Sequence, residues 1–427
     1  MSSDVSGTRR PNVGVIGAGM SGLAATHYLT NRGADVTVFE ASARPGGVVG
    51  STTVDGRVIE FGPQRLRLSK PVETLVDEYE LRDALRFGHD DQPLFAYYEG
   101  ELRPMPLSVD TALRTDLLSW RGKARILAEP LTGPAKPDET VSEFLGRKFG
   151  TEAADRFMAP LYSGLYGTDP ADMYVEYSLG RALEHVGIDG SILLYVAKRL
   201  LEGVETPPIV TFEDGLQTLP NAIYETHADD IHLDTPVTAL ERDGDGFTIL
   251  TDDGGYSVDS VVVTTPAPTA ASLLERIDGS VARTLDRFTY NPIGVVHLES
   301  GYDREGHGFH VIDDGFITNG STWNHSMLDR EGIYTSYVGS GDTDLLARDE
   351  KTIGEKAALE FESITGSSAS PLSVEVLRPG MPAYDRSWAA LDELSIPDGI
   401  AICSSYTSRA GIVGRIVDGK RTAETVL

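Results

Sequence analysis

Six residues near the amino terminus carry the first chemical signal: Gly17-Ala18-Gly19-Met20-Ser21-Gly22 spells G-x-G-x-x-G. At a strand-to-helix turn, Gly17 permits the tight turn and Gly19 lets the backbone approach a pyrophosphate. Gly22 allows the helix to pack close to the strand, and the first amides of that helix, around Met20 and Ser21, offer donors and a positive dipole end to phosphate. Glu40 follows 23 residues after Gly17, where a carboxylate accepts hydrogen bonds from ribose hydroxyls and repels a 2′-phosphate. The set describes a dinucleotide site without separating a flavin from a nicotinamide dinucleotide. Other reactive types give no comparable constellation. None of the nine His forms a His-x-x-x-His pair, and the single Cys excludes an intrachain disulfide framework and a Cys-based structural zinc site.

The flanking pattern supplies the elements that must position this loop. Asn12–Ile16 reads as a short buried strand, Ser21–Asn31 as a helix and Ala34–Glu40 as a second strand. From Ser108 to Leu201 the spacing becomes helical (Val141, Phe144, Leu145, Phe149; then Leu193, Leu194, Ala197, Leu200, Leu201). Beyond it, Pro208–Phe212 reads as a strand, Leu216–His227 as a helix, Ile231–Leu250 as two strands around a Gly244-Asp245-Gly246 turn, and Val258–Thr264 as an apolar strand. Short strands alternate with Gly and Asp turns from Tyr290 to Val338 and predict an antiparallel sheet, followed by a helix near Ile353–Thr365. The strand-like Gly399–Cys403 and helical Ile412–Val426 repeat the character of the opening, as expected for a nucleotide-binding domain assembled from separated segments.

Composition narrows the partners. With 65 Asp+Glu against 37 Lys+Arg, the formal charge of −28 excludes a general nucleic-acid binder, whose affinity rests on Lys and Arg. There are 36 Asp, 29 Glu and 29 Arg but only 8 Lys, the balance expected of a salt-adapted (halophilic) protein whose carboxylate repulsion is screened in concentrated brine, with an ordinary acidic cytosolic protein as the alternative. The length predicts two or three domains. A polar first decade, no run approaching 18 apolar residues and the single Cys predict a cytoplasmic location.

The residues after Glu40, Ala41-Ser42-Ala43-Arg44-Pro45-Gly46-Gly47, resemble the extension found in the flavin-dependent amine oxidase superfamily, and so point to FAD. Within it, four further stretches resemble the oxygen-dependent protoporphyrinogen and coproporphyrinogen oxidases: Glu60-Phe61-Gly62-Pro63-Gln64-Arg65-Leu66-Arg67; Glu139–Leu145 with Met158–Tyr166 and Asp169-Pro170; Gly215–Pro220; and Met381-Pro382-Ala383-Tyr384. Val48, where amine oxidases usually carry Arg, fits the same branch. Two segments depart from it. Cys403-Ser404-Ser405-Tyr406 stands where the family often has Gly-Asn-Ala-Tyr, and the glycine-rich turn beyond is reduced to Arg409-Ala410-Gly411-Ile412-Val413.

The resemblance implies an α/β chain with a Rossmann-like FAD-binding domain in discontinuous segments (1–85, 206–272 and 385–427). A mixed α+β substrate domain (86–107 and 273–384) and a helical insertion (108–205) complete it. It implies flavin contacts from Gly17, Gly19, Met20, Ser21, Gly22, Glu40, Ala41, Arg44, Gly46, Gly47, Gly62, Pro63, Val237, Tyr406, Gly411, Ile412 and Val413, and no metal. The reaction implied removes six electrons from a porphyrinogen in three steps, with dioxygen as acceptor and hydrogen peroxide as product. No His is needed as a base. Arg67 aligns with a family Arg that pairs with a substrate carboxylate, and Arg65 is a weaker candidate of the same kind. Phe95, Tyr166, Tyr290 and Trp323 could stack on an anionic tetrapyrrole, although core packing is the commoner role for such rings. Cys403 reads as a small buried residue, not a flavin attachment point. Ser191–Leu201 is amphipathic with a basic edge, so the insertion either docks peripherally on the inner face of the cell membrane or packs on the core; a homodimer is compatible with both. An amine oxidase, a carotenoid-type desaturase and a weakly catalytic flavin-binding protein stay open as alternatives.

Overall fold

The structure, a computed structural model, describes residues 9–188, 190–339, 346–407 and 411–427. Its first sheet is parallel and five-stranded, in the order Ile231–His232, Asp35–Phe39, Asn12–Ile16, Ser260–Val263, Ile400–Ile402. The central strand is Asn12–Ile16, four of whose five residues are buried, as expected for a strand covered on both faces. Helix Met20–Asn31 lies on one face, and the last helix, Ile412–Val426, packs across it. Gly419 permits that approach: a Cβ there would sit 2.7 Å from the Ala24 Cβ.

Two expectations are corrected here. Ile231–His232 does not belong to a hairpin; it separates from the following strands and extends the parallel sheet through Val38 and Phe39. The antiparallel unit then has three strands, Val237–Asp243, Gly246–Thr251 and Gly254–Val258. Two residues are too few to display a period, and their pairing is decided by a partner nearly 200 positions away.

A seven-stranded, mostly antiparallel sheet forms the second layer, ordered Ala369–Pro382, Tyr290–Ser300, Ile333–Val338, Thr318–Thr322, Gly308–Val311, Leu94–Tyr98, Glu101–Pro104. The 14-residue strand Ala369–Pro382 carries three prolines, which masks it in the sequence and suits its place at the sheet edge. One face is covered by helix Glu350–Thr365, whose Ile353, Ala357, Phe361 and Ile364 recur at helical spacing and pack on Val296, Leu298, Phe309 and Tyr334. Asp349 caps that helix through the Thr352 amide (3.0 Å), and Gly366 ends it at φ 77°. Because side chains alternate across a strand, Ala96, His310, Thr322, Thr335, Tyr337 and His297 point to the opposite face. Gln64 of the flanking Glu60–Arg67 segment meets this face, accepting from Asn324 Nδ2 (2.7 Å) and Thr335 Oγ1 (2.9 Å).

Between Val109 and Leu201 the chain is helical, as the spacing predicts. The turn Glu129–Leu131 is fastened to helix Val141–Phe149 by a buried Lys148–Glu129 ion pair (2.9 Å), and Glu129 also accepts from the Ile192 amide (3.1 Å) at the start of helix Ile192–Leu201. No helix among the described residues is long and apolar enough to cross a membrane.

Candidate functional site

Gly17 turns at φ 104°, with its amide donating to Phe39 O (2.8 Å), so the loop is pinned to the second strand. A Cβ on Gly22 would lie 1.9 Å from Gly17 O, whereas one on Gly19 would meet nothing nearer than the Gly47 Cα at 3.9 Å. Gly22 is therefore a packing glycine and Gly19 borders open space. Gly19 is also the N-cap of helix Met20–Asn31 and no side chain caps it, which leaves the first helical amides around Met20 and Ser21 available to an anion.

Glu40 is held against this loop. Its Oε2 accepts from the Ala18 amide (2.7 Å) and its Oε1 from the Ser42 amide (2.9 Å) and hydroxyl (2.7 Å). Ala41 is exposed beside it, and Val237 is half-buried two residues after Thr235, whose amide donates to Glu40 O (2.8 Å). The Arg44–Gly47 segment closes over the loop. The Gly46 amide donates to Ala18 O (2.8 Å), Gly46 and Gly47 take φ 104° and 61°, and a Cβ on Gly46 would strike Val49 O at 2.3 Å.

Arg44 lies over the Phe61 ring (5.2 Å) and donates to Gln217 Oε1 (3.2 Å), while Gln217 Nε2 returns a bond to Pro45 O (2.8 Å). Gln217 thus clips the second loop in place; it stands within the Gly215–Pro220 stretch that resembled the porphyrinogen oxidases, but nothing local marks it as a clip. Gly62 and Pro63 continue the wall, with a Gly62 Cβ placed 2.4 Å from Val48 O. Val48 itself is exposed.

At the far end, Gly411 (φ 86°) is the uncapped N-cap of Ile412–Val426, with Ile412 buried and Val413 half-buried beneath it. Arg409 and Ala410 of the altered turn lie outside the described residues. Tyr406 is fully buried, its ring against Phe288 (5.4 Å), and supports this end from behind. Cys403 is also fully buried, its thiol near Ser21 O (3.9 Å) and pushed up to about 12 by burial, which is incompatible with a reactive thiolate.

A second group of side chains is neither packed shut nor fully exposed. Arg65, Tyr162, Tyr290 and Tyr337 each remain partly accessible, yet burial is the largest influence on all four, lowering Arg65 and raising the three phenols, Tyr290 to about 12. His310, on the same sheet face as Tyr337, is likewise partly accessible and held neutral by burial, down to about 4.

Arg67 and Arg65 point off the same face of their segment, with Leu66 buried on the other. Arg67 is committed: it pairs with Asp90 and donates to Pro207 O (2.9 Å). Phe95 and Trp323 are packed in the core under helix Glu350–Thr365, so of the four aromatic candidates only Tyr166 and Tyr290 are partly accessible. A separate open cleft of about 1280 Å³ lies between Arg57–Val58, Thr211–Glu213 and Arg330–Ile333 and includes none of the loop residues 17–22 or 44–47.

An open cradle with a carboxylate beside it, uncapped helical amides and a glycine strap fits a dinucleotide, and the family to which the chain belongs makes the class a flavin-dependent oxidoreductase. The chain belongs to the flavin containing amine oxidoreductase family, whose model matches residues 20–427. It is 28% identical to the chloroplastic protoporphyrinogen oxidase of Oryza sativa subsp. japonica, an alignment covering 95% of this chain and 86% of that one. It is 26% identical to the coproporphyrinogen III oxidase of Bacillus subtilis (strain 168), with 88% of each covered. Among solved structures, the cyclohexylamine oxidase from Brevibacterium oxydans IH-35A superimposes with a TM-score of 0.72 over 98% of both chains at 17% identity, which shows the shared fold.

Proposed function

We propose that the chain is an FAD-dependent oxidase that converts a porphyrinogen to the porphyrin, with dioxygen as acceptor and hydrogen peroxide as product. The observation that carries this is the likeness to relatives named protoporphyrinogen and coproporphyrinogen oxidase over about nine-tenths of the chain, with the partly accessible Tyr162, Tyr166 and Tyr290 as aromatic groups available to a flat substrate. When bound, FAD supplies the two-electron redox chemistry of each step. The protein's part is positional. Glu40 receives the ribose hydroxyls, the amides at Met20 and Ser21 receive the pyrophosphate, and the Arg44–Gly47 strap, held by Gln217, keeps the cofactor from exchanging with solvent. Tyr162, Tyr166 and Tyr290 offer flat faces to a tetrapyrrole and exclude water from the reacting carbons.

The helical segment gives the second part of the proposal. Trp120, Leu127, Leu131, Leu194, Leu200 and Leu201 are exposed, Leu201 at 89%, and together with Lys198 and Arg199 they suit a peripheral contact with an anionic bilayer on the cytoplasmic side. Purified flavin-loaded protein given protoporphyrinogen IX or coproporphyrinogen III in air should develop porphyrin fluorescence and consume dioxygen. Absence of both, with oxidation of an amine instead, would move the enzyme to another branch of its family.

A further inference from the structure

Arg65 shows a combination of three properties that Arg67, its neighbour two residues along, lacks. Its guanidinium is deep enough that burial is the main influence on it, it remains partly accessible, and it forms no hydrogen bond or ion pair among the described residues. A buried unpaired charge is costly, and proteins keep one where a ligand completes it. The nearest acid is engaged elsewhere. Asp90 pairs through one oxygen with Arg67 and accepts from the Ile209 amide (2.8 Å) with the other, and makes no hydrogen bond to Arg65 among the described residues, attracting it only at a distance. Apart from Asp90 the neighbouring groups add no anion: Tyr337 is a neutral phenol, and His307, whose Nε2 donates to His89 O (2.6 Å), is held below its ordinary range by burial and by the two arginines.

We propose that Arg65, not Arg67, is the residue that binds a carboxylate of the substrate, with the Tyr337 phenol beside it, and that Arg67 is a positioning residue which keeps Asp90 from neutralising Arg65. This rests on the porphyrinogen reading above. A planar guanidinium that is partly withdrawn from solvent and has no protein partner suits bidentate capture of a propionate. The location is coherent with the cradle, because Arg65 lies three residues beyond Gly62, which abuts Val48, and faces the sheet through Tyr337.

The test uses the oxidised, FAD-loaded protein and two probes, protoporphyrin IX and its dimethyl ester, titrated by fluorescence quenching. Arg65→Gln should weaken the free acid about 10- to 100-fold, the span expected for a lost charge-assisted bond, and leave the ester unchanged. Arg65→Lys should recover part of the loss for the acid alone. Equal weakening of both probes, or none, overturns the assignment, and so does a larger acid-specific loss in Arg67→Gln than in Arg65→Gln. Flavin absorbance per chain must match wild type in each variant, which separates a folding defect from a binding one. Failure of the wild type to bind either probe or to oxidise porphyrinogen would defeat the parent reading instead.

Discussion

Glu60 makes stability depend on pH in a direction opposite to most carboxylates. It is almost completely buried, and burial raises its carboxyl to about 7 even though Ser51 Oγ (2.5 Å) and the Leu216 amide (3.0 Å) donate to it and Arg330 Nη2 stands 3.5 Å away. The folded protein therefore holds the proton more tightly than the unfolded chain, whose carboxyl titrates near its ordinary value. Stability from this group is fully present below about pH 4.5 and is lost as pH rises through about 7. At about 1.4 kcal/mol per tenfold change in proton affinity, the loss between pH 5 and pH 8 comes to roughly 2–3 kcal/mol.

Glu60→Gln removes the titration, and subtracting its urea-unfolding free energy from that of wild type cancels the other carboxylates. Both proteins are measured at one fixed excess of FAD, because ligand concentration shifts apparent stability. The wild-type value should fall relative to Glu60→Gln by that amount across the range. A difference constant within about 0.5 kcal/mol from pH 5 to 8 would show that Arg330 keeps the carboxylate ionised throughout and that the pairing outweighs burial. A functional echo is expected, since Leu216 precedes the Gln217 that holds Pro45 O: flavin dissociation in wild type should quicken above pH 7, and less so in Glu60→Gln.

Three further outcomes are expected. Gly19→Ala, whose Cβ meets only Gly47 Cα at 3.9 Å, should fold with stability changed by less than about 1 kcal/mol yet retain less flavin, whereas Gly22→Ala, clashing at 1.9 Å with Gly17 O, should lose about 1–3 kcal/mol or more; absorbance at 450 nm per chain and thermal unfolding check both. Arg67→Ala breaks an ion pair whose partners are each about a third exposed, so it should cost no more than about 1 kcal/mol of stability. Its apparent KM should rise less than in Arg65→Gln, measured by porphyrin fluorescence. Turnover should increase from dilute buffer toward molar salt as repulsion between a chain of net charge −28 and an anionic substrate is screened; a steady loss of turnover and flavin over that range would remove the salt-adapted reading.

The phosphate loop was legible in the sequence because its determinants are local: a strand, a glycine turn and a helix within 20 residues, with Glu40 close behind. The antiparallel sheet and the helix that covers it were legible for the same reason, the sheet through short strands set off by Gly and Asp turns and the helix through its period-3.6 pattern. What escaped depends on distant partners. Ile231–His232 is a strand only because Val38 and Phe39 receive it. Ala369–Pro382 pairs along nearly all of Tyr290–Ser300 despite a proline content that reads as loop. The ranking of the two arginines had the same weakness. Arg65 and Arg67 are alike in type and face, and their different availability is set by Asp90, 23 residues beyond Arg67, and by the Ile209 amide that claims the acid's second oxygen.

The charge of the chain acts on two length scales, and they pull in opposite directions. At long range the 28 excess negative charges repel a carboxylate-bearing ligand, an effect that fades over about 10 Å at ordinary ionic strength and about 3 Å at 1 M salt. At contact, a desolvated guanidinium interacts through a medium far less polarisable than water and is screened little by salt. Concentrated salt therefore removes the barrier to encounter without removing the attraction that holds the ligand. A strongly acidic chain thus suits an anionic substrate best where the receiving cation is withdrawn from solvent and unpaired. Arg65 meets that condition, and Arg67, already neutralised by Asp90 nearer the surface, does not.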